Sequence, residues 1–149
     1  MSDALYNTQI LRLAASTAAA ARLVDPHGTA TKVSPVCGSK VTADIDLDSA
    51  GTVIAHGQEV RACALGQAAA ALVGAAIIGQ DRPRLIAARA GLADWLAGRA
   101  DAPPDWPGVA VFAPARPHRA RHASILLAFD AAIAATEAAA HAALALHTA

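Results

Sequence analysis

The sequence predicts an α+β domain, with helices packed on one face of a small three-stranded antiparallel sheet. Three features point to it: polar and apolar residues alternating from Lys40 to Asp48, two further short strand-like runs before Cys63, and helical periodicity on both sides of that block. From Ala4 to Val24 the residues Tyr6, Ile10, Leu13, Ala14, Ala18 and Ala21 recur at helical spacing until Asp25-Pro26-His27-Gly28 stops the pattern. An N-terminal amphipathic helix is expected there. Between Lys40 and Asp48 the period changes to two, with Val41, Ala43, Ile45 and Leu47 on one face and Lys40, Thr42, Asp44, Asp46 and Asp48 on the other. Ser49-Ala50-Gly51 reads as a turn into a second strand at Thr52 to Ala55, and His56-Gly57-Gln58 as a turn into a third at Glu59 to Ala62. These segments make a meander with one wet face. Beyond Cys63 the pattern is helical to Ile78, and a further helix is expected from Arg82 to Leu96. Prolines then break the chain from Asp101 to Pro107, and a basic segment from Pro114 to Arg121 leads into a long alanine-rich helix from about His122 to His147.

A chain of 149 residues matches one ordinary domain spanning 1–149, large enough for a single core, and it contains no internal repeat or interdomain linker. Twelve basic and twelve acidic residues leave a formal charge of zero. No global field therefore draws the chain to nucleic acid or to an anionic membrane. The 55% hydrophobic content raises a membrane reading most strongly at Ala62 to Gly79. Much of that run is alanine and glycine, which bury little apolar area, so a helix inside a soluble core is expected instead of a span. Met1-Ser2-Asp3 lacks the start of a signal peptide, and two cysteines make no disulfide framework. A cytoplasmic protein with both thiols reduced is expected. No Gly-rich phosphate loop, paired-carboxylate motif or Ser/His/Asp signature is present, so no enzyme is expected. Asp25, Asp44, Asp46, Asp48 and Glu59 read as a wet sheet face or turns.

The cysteines sit at element ends. Cys37 stands in Ser34-Pro35-Val36-Cys37-Gly38-Ser39, a turn before the first expected strand, and Cys63 where the third becomes a helix. In so short a meander both positions can lie at one edge of the sheet. The exposed N–H groups of a helix start also suit an anionic sulfur at Cys63. Two readings stay open: a pair of soft ligands suited to an iron-sulfur cluster or zinc, or two small apolar residues in a core.

Three motifs carry a family resemblance. Ser34-Pro-Val-Cys37-Gly-Ser39 ahead of an alternating acidic strand resembles an Asn-Pro-x-Cys-Gly-Asp segment. Arg61-Ala-Cys63-Ala-Leu-Gly-Gln-Ala resembles a second cysteine motif at a helix start, and Arg121-His-Ala-Ser-Ile-Leu-Leu-Ala-Phe129 a motif in which His or Lys precedes a third cysteine and a long helix. In this order and spacing, from Ser34 to Ile133, they resemble the IscU/NifU-like (SufU-like) iron-sulfur cluster assembly scaffolds. The resemblance implies the fold of those scaffolds. It also implies a site where three cysteines, helped by the Asp and sometimes the His, hold a nascent 2Fe-2S cluster built from iron and from sulfur supplied by a cysteine desulfurase. Partners would then be that desulfurase and cluster-assembly or acceptor proteins.

The chain departs from that pattern at three places. Ser34 replaces the Asn, Ser39 replaces the Asp, and the third cysteine is Ala123, or Ser124 in an alternative placement. The implied ligand set is Cys37, Cys63 and His122, with Ser39 in the carboxylate's place. Such a set is poorer in charge than four thiolates, and a cluster on it needs a fourth ligand from elsewhere. Two Cys and one His with an open position also suit zinc. His122 follows Arg116, His118, Arg119 and Arg121, so it reads either as a ligand or as part of a solvated basic strip. A neutral chain with no aromatic residue inside that strip gives little support for nucleic-acid binding, and the resemblance implies a surface where partner proteins dock. A scaffold or carrier of iron and a 2Fe-2S cluster is the leading expectation, beside a degenerate interaction module that retains zinc or no metal. His27, His56, His118, His141 and His147 show no ligand spacing, and the last two are expected to be solvated.

Overall fold

Strands β1 (Gly28–Val33), β2 (Lys40–Leu47) and β3 (Val53–Arg61) form an antiparallel sheet in sequence order. The computed structural model describes residues 5–16, 21–35 and 38–148, the last three as backbone only. Helix α1 (Thr8–Ser16) precedes the sheet, and α2 (Ala64–Ala76), α3 (Arg82–Leu96) and α4 (His122–Thr148) follow it. Two 3-10 turns, Val109–Ala115 and Arg119–Arg121, lead from α3 to α4. Helix α4 lies along β1 and β2, α2 packs beside it against α1 and β3, and α3 leans on α4. The alternating face of β2 meets both central helices: Val41, Ala43, Ile45, Leu65, Val73, Ile125 and Phe129 are all at most 1% exposed.

Small residues set how closely these layers approach. A Cβ on Gly28 of β1 would collide with the backbone of Ala135 and Ala139 in α4, so glycine opposite alanine is what lets helix and strand lie so near. The stretch from Ala62 to Gly79 is a core helix as expected, with Ala68, Ala69, Ala70 and Val73 fully buried. Helix α4 is long and apolar enough to cross a membrane, yet 61% of that apolar stretch is buried inside the protein. Trp106 closes the core from the loop side, donating its indole N–H to Leu72 O at 2.9 Å and meeting Phe129 edge-on at 5.3 Å.

Four expectations about elements are corrected. The N-terminal helix does not run to Val24: residues 21–24 are not helical, and Ala18 lies outside the described residues. The segment instead crosses the outer face of the sheet, where Ala21 O accepts from Gln58 N at 3.2 Å and Leu23 N donates to Asp44 Oδ2 at 3.0 Å. Second, Gly28–Val33 is a strand, although Thr29, Thr31 and Lys32 give it little apolar signal; its pairing with β2 holds it. Third, the two strands expected between Thr52 and Ala62 are one, β3, which runs straight through His56-Gly57-Gln58. A Cβ on Gly57 would stand 2.5 Å from Ala21 O, so this glycine serves a backbone crossing and not a turn.

The fourth correction concerns the wet face. Asp44 is 0% exposed and Thr42 9%. Arg22 donates to both oxygens of Asp44, Nε at 2.6 Å and Nη2 at 3.0 Å, and the Thr29 hydroxyl donates at 2.6 Å. Burial pushes the Asp44 carboxyl up, but the hydrogen bonds from Arg22, Thr29 and Leu23 N–H, with the Arg22 charge, outweigh it and hold it below the usual carboxylate value. Asp48 is a turn residue as expected, its Oδ1 accepting from Ala50 N and Thr52 N, both at 2.9 Å.

Candidate metal centre at one end of the sheet

The turn that carries the first cysteine motif joins β1 to β2. Ser34 N donates to Ser39 O at 2.8 Å and Gly38 N to Ser34 O at 2.9 Å, with Gly38 in the left-handed region at φ 72°. Val33 pairs with Lys40, and Lys40 with Arg61. The hairpin base therefore stands at the sheet end where β3 stops, two residues before Cys63. Cys37 lies outside the described residues. Ser39, where the family motif has a carboxylate, is 4% exposed and packed into the hairpin base.

Cys63 is a partly exposed free thiol at the N-cap of α2, with extended backbone, φ −64° and ψ 171°. Its carbonyl accepts from Gln67 N at 2.9 Å, and its side chain makes no capping hydrogen bond. The residue packs against the edge of the core, while its thiol, at the helix start, takes no part in capping. The starts of α2 and α4 meet here: a Cβ on Gly66, one turn into α2, would lie 3.3 Å from Ser124 O and 3.9 Å from Ser124 Cβ. This contact separates the two candidates for the third cysteine position. Ser124 is 2% exposed, in the seam between the helices, whereas Ala123 faces solvent.

His122 opens α4 and is half-buried. Its Nε2 lies 2.9 Å from Ala115 O and 3.1 Å from Arg116 O. Among the described residues no group of three or more His, Cys, Asp and Glu side chains is placed to hold a metal ion. Cys63 and His122 are the soft donors that remain there, and Cys37 is the one that lies outside.

The basic segment is not uniformly exposed, which corrects the expectation of a free strip from Arg116 to Arg121. Arg116 Nε donates to Trp95 O at 2.8 Å, its Nη2 donates to Ala100 O at 3.2 Å, and its guanidinium carbon lies 5.2 Å from the Trp95 ring centroid. It is a structural tether. His118, Arg119 and Arg121 are exposed, as are Lys40 and Arg61 across the strand end. Elsewhere, His27 Nδ1 accepts from Leu47 N at 3.1 Å. His141 is exposed as expected, and the side chain of His147 lies outside the described residues.

His56 was legible only as a turn residue, but it is a core histidine. It lies near Gly74 of α2 and its Nε2 is buried without a hydrogen-bond partner. Burial pushes its pKa down to about 4, against a smaller upward pull from Asp44. A cavity of about 790 Å³, lined by residues such as His27, Leu47, Asp48, Ala143 and Leu144, opens at the opposite end of the sheet from Cys63.

The chain is similar to solved structures along nearly its whole length. One is the N-terminal part of a nitrogen-fixing NifU-like protein from Brucella abortus, 34% identical, with a TM-score of 0.84 over 94% of this chain and 97% of that one. Another is a candidate iron-sulfur cluster assembly scaffold of the SUF system from the thermophile Fervidobacterium islandicum, 17% identical, with a TM-score of 0.75 over 91% of this chain and 99% of that one. At that identity the second likeness speaks for the fold alone. No protein-family model matches the chain. No curated protein matches it either.

Proposed function

The chain belongs to the IscU/NifU-like family, and on that premise we propose that it is a non-enzymatic scaffold or carrier for iron and a 2Fe-2S cluster, held at Cys37, Cys63 and His122. The observation that carries this reading is the placement of Cys63: a free, partly exposed thiol that caps nothing at a helix start, on the sheet end that also holds the β1–β2 hairpin and the start of α4. Thiolates and imidazole are the ligands such cargo takes, and an exposed end lets it be loaded and passed on. With Ala123 and Ser124 offering no thiolate, and Ser39 buried in place of a carboxylate, a partner or another side chain supplies the fourth ligand. On this reading residues 1–149 act as one domain.

The exposed cations around that end support docking of an acidic partner, by class a cysteine desulfurase or a cluster acceptor. Lys40 and Arg61 are directly opposite each other on neighbouring strands, with Arg61 Nε 3.6 Å from Glu59 Oε1, and both cations are open to an approaching acidic surface.

One observation favours a second reading. Two cysteines and a histidine with no third thiolate match a catalytic-type zinc set with an open position, so a zinc-holding interaction module is the competing function. Anaerobic reconstitution with iron and sulfide, followed by visible absorbance and metal analysis, decides between them. Cluster absorbance that is lost in Cys37→Ala and Cys63→Ala is the expected result. Uptake of zinc alone, with no cluster under any iron and sulfide loading, would overturn the scaffold reading.

A further inference from the structure

The two oxygens near His122 Nε2, at 2.9 Å on Ala115 and 3.1 Å on Arg116, are carbonyls. Carbonyls only accept, so Nε2 carries the ring proton and, in the neutral ring, Nδ1 carries the lone pair. These carbonyls end a 3-10 turn that contains Pro114. The Arg116 side chain pins that turn, because its Nε and Nη2 donate to Trp95 O and Ala100 O and its guanidinium lies over the Trp95 ring. Trp95 belongs to the last turn of α3, where the dipole is negative and the Trp95 carbonyl already accepts from Gly98 N at 3.1 Å, so the guanidinium adds a second, charged hydrogen bond there.

We propose that Arg116 is a positioning residue: by clamping residues 115–116 onto the end of α3 it holds His122 as the Nε2–H tautomer and leaves Nδ1 as the ligand atom. This rests on the reading of His122 as a metal ligand. A backbone carbonyl on the second ring nitrogen is a recurring device for fixing the tautomer and orientation of a ligating histidine, and losing such support costs about 10–100-fold in metal affinity.

The test uses the full chain and Zn²⁺ alone. Histidine-selective ¹⁵N spectra, at a pH where the ring is neutral, are expected to show His122 as the Nε2–H tautomer alone in the parent and as a mixture of Nε2–H and Nδ1–H tautomers in Arg116→Met. Zinc affinity is expected to fall by about 10–100-fold in Arg116→Met and to be unchanged by the same substitution in a His122→Ala background. If Arg116→Met does not fold, Arg116→Lys keeps the charge but not the fork that spans both carbonyls, and gives the same two readouts. An unaltered tautomer overturns the clamp, and so does an equal loss of zinc affinity with and without His122, which a merely structural arginine produces. If His122→Ala alone leaves zinc affinity unchanged, the ligand reading and the Nδ1 assignment fall, while the tautomer spectrum still decides the clamp.

Discussion

Gly57, beneath the outer-face crossing, and Gly74, against the inner side of β3, respond oppositely to an added methyl group. At Gly57 a Cβ would stand 2.5 Å from Ala21 O and 2.7 Å from Leu23 N, both backbone atoms that cannot move without undoing the outer-face crossing. At Gly74 the nearest atom is Gln58 Nε2 at 3.5 Å, an ordinary contact. Gly57→Ala is expected to cost about 2 kcal/mol or more, as overpacking against fixed atoms does, whereas Gly74→Ala should stabilise α2 by roughly 0.5–1 kcal/mol. Urea unfolding midpoints check both. His56 carries a pH prediction. Its pKa is lowered from 6.5 to about 4 in the folded chain, so the proton prefers the unfolded state. Its contribution is whole above pH 6.5 and is lost on acidification towards pH 4, at up to about 1.4 kcal/mol per pH unit. Denaturation curves across that window should show the loss, and His56→Leu should flatten it.

At the scale of elements, the starts of α2 and α4 form the site's floor and rim. Ser124 packs against Gly66 while Ala123 faces out, so a sulfur at 124 would lie in the seam and one at 123 at the surface, where the proposed function would have cargo arrive. Ala123→Cys is therefore expected to raise the yield and lifetime of a reconstituted cluster, and Ser124→Cys to leave both unchanged. A gain from Ser124→Cys alone would place the third position inside the seam and refute this assignment. The basic segment divides in the same way. Arg119→Ala with Arg121→Ala should leave the melting temperature unchanged and weaken an acidic partner more at low salt than at high, because exposed charges are screened within about 8 Å at physiological ionic strength. Arg116→Ala should lower the melting temperature, since it removes the charged hydrogen bonds to Trp95 O and Ala100 O and the contact with the Trp95 ring.

Across the whole molecule the sheet separates two jobs. Its inner face carries the helices, and the outer face is clasped by residues 21–24 through Asp44, away from the end where Lys40 meets Arg61 and Cys63 follows. Asp44→Asn keeps the shape but loses the charge that Arg22 pairs with. It should cost about 2 kcal/mol, as removal of a charged hydrogen-bond partner does, without changing zinc affinity in the folded protein. Because the folded-state pKa of Asp44 lies below its ordinary 3.8, the clasp's contribution is whole above that value and is lost as pH falls through the folded one. Acid unfolding should accordingly begin at higher pH in Asp44→Asn than in the parent. Equal acid midpoints would show that the clasp contributes nothing.

Local chemistry alone was enough to place α2, α3 and α4, the alternating strand β2, and the three motifs of the family. Helical period and the proline breaks are written in neighbouring residues. What neighbouring residues cannot encode is which face a distant segment will cover. Gly57 looked like a turn because the segment crossing it lies far back in the chain. Asp44 looked solvated because its partner Arg22 stood in a stretch with helical spacing, and Gly28–Val33 did not look like a strand because its apolar signal is weak and its pairing with β2 is what holds it. The candidate site divides along the same line. The sequence named Cys63 and His122 from their motifs, but the orientation of the imidazole, the tether of Arg116 and the burial of Ser124 beside an exposed Ala123 depend on long-range packing of helix ends. Those contacts exist only once the chain has closed on itself.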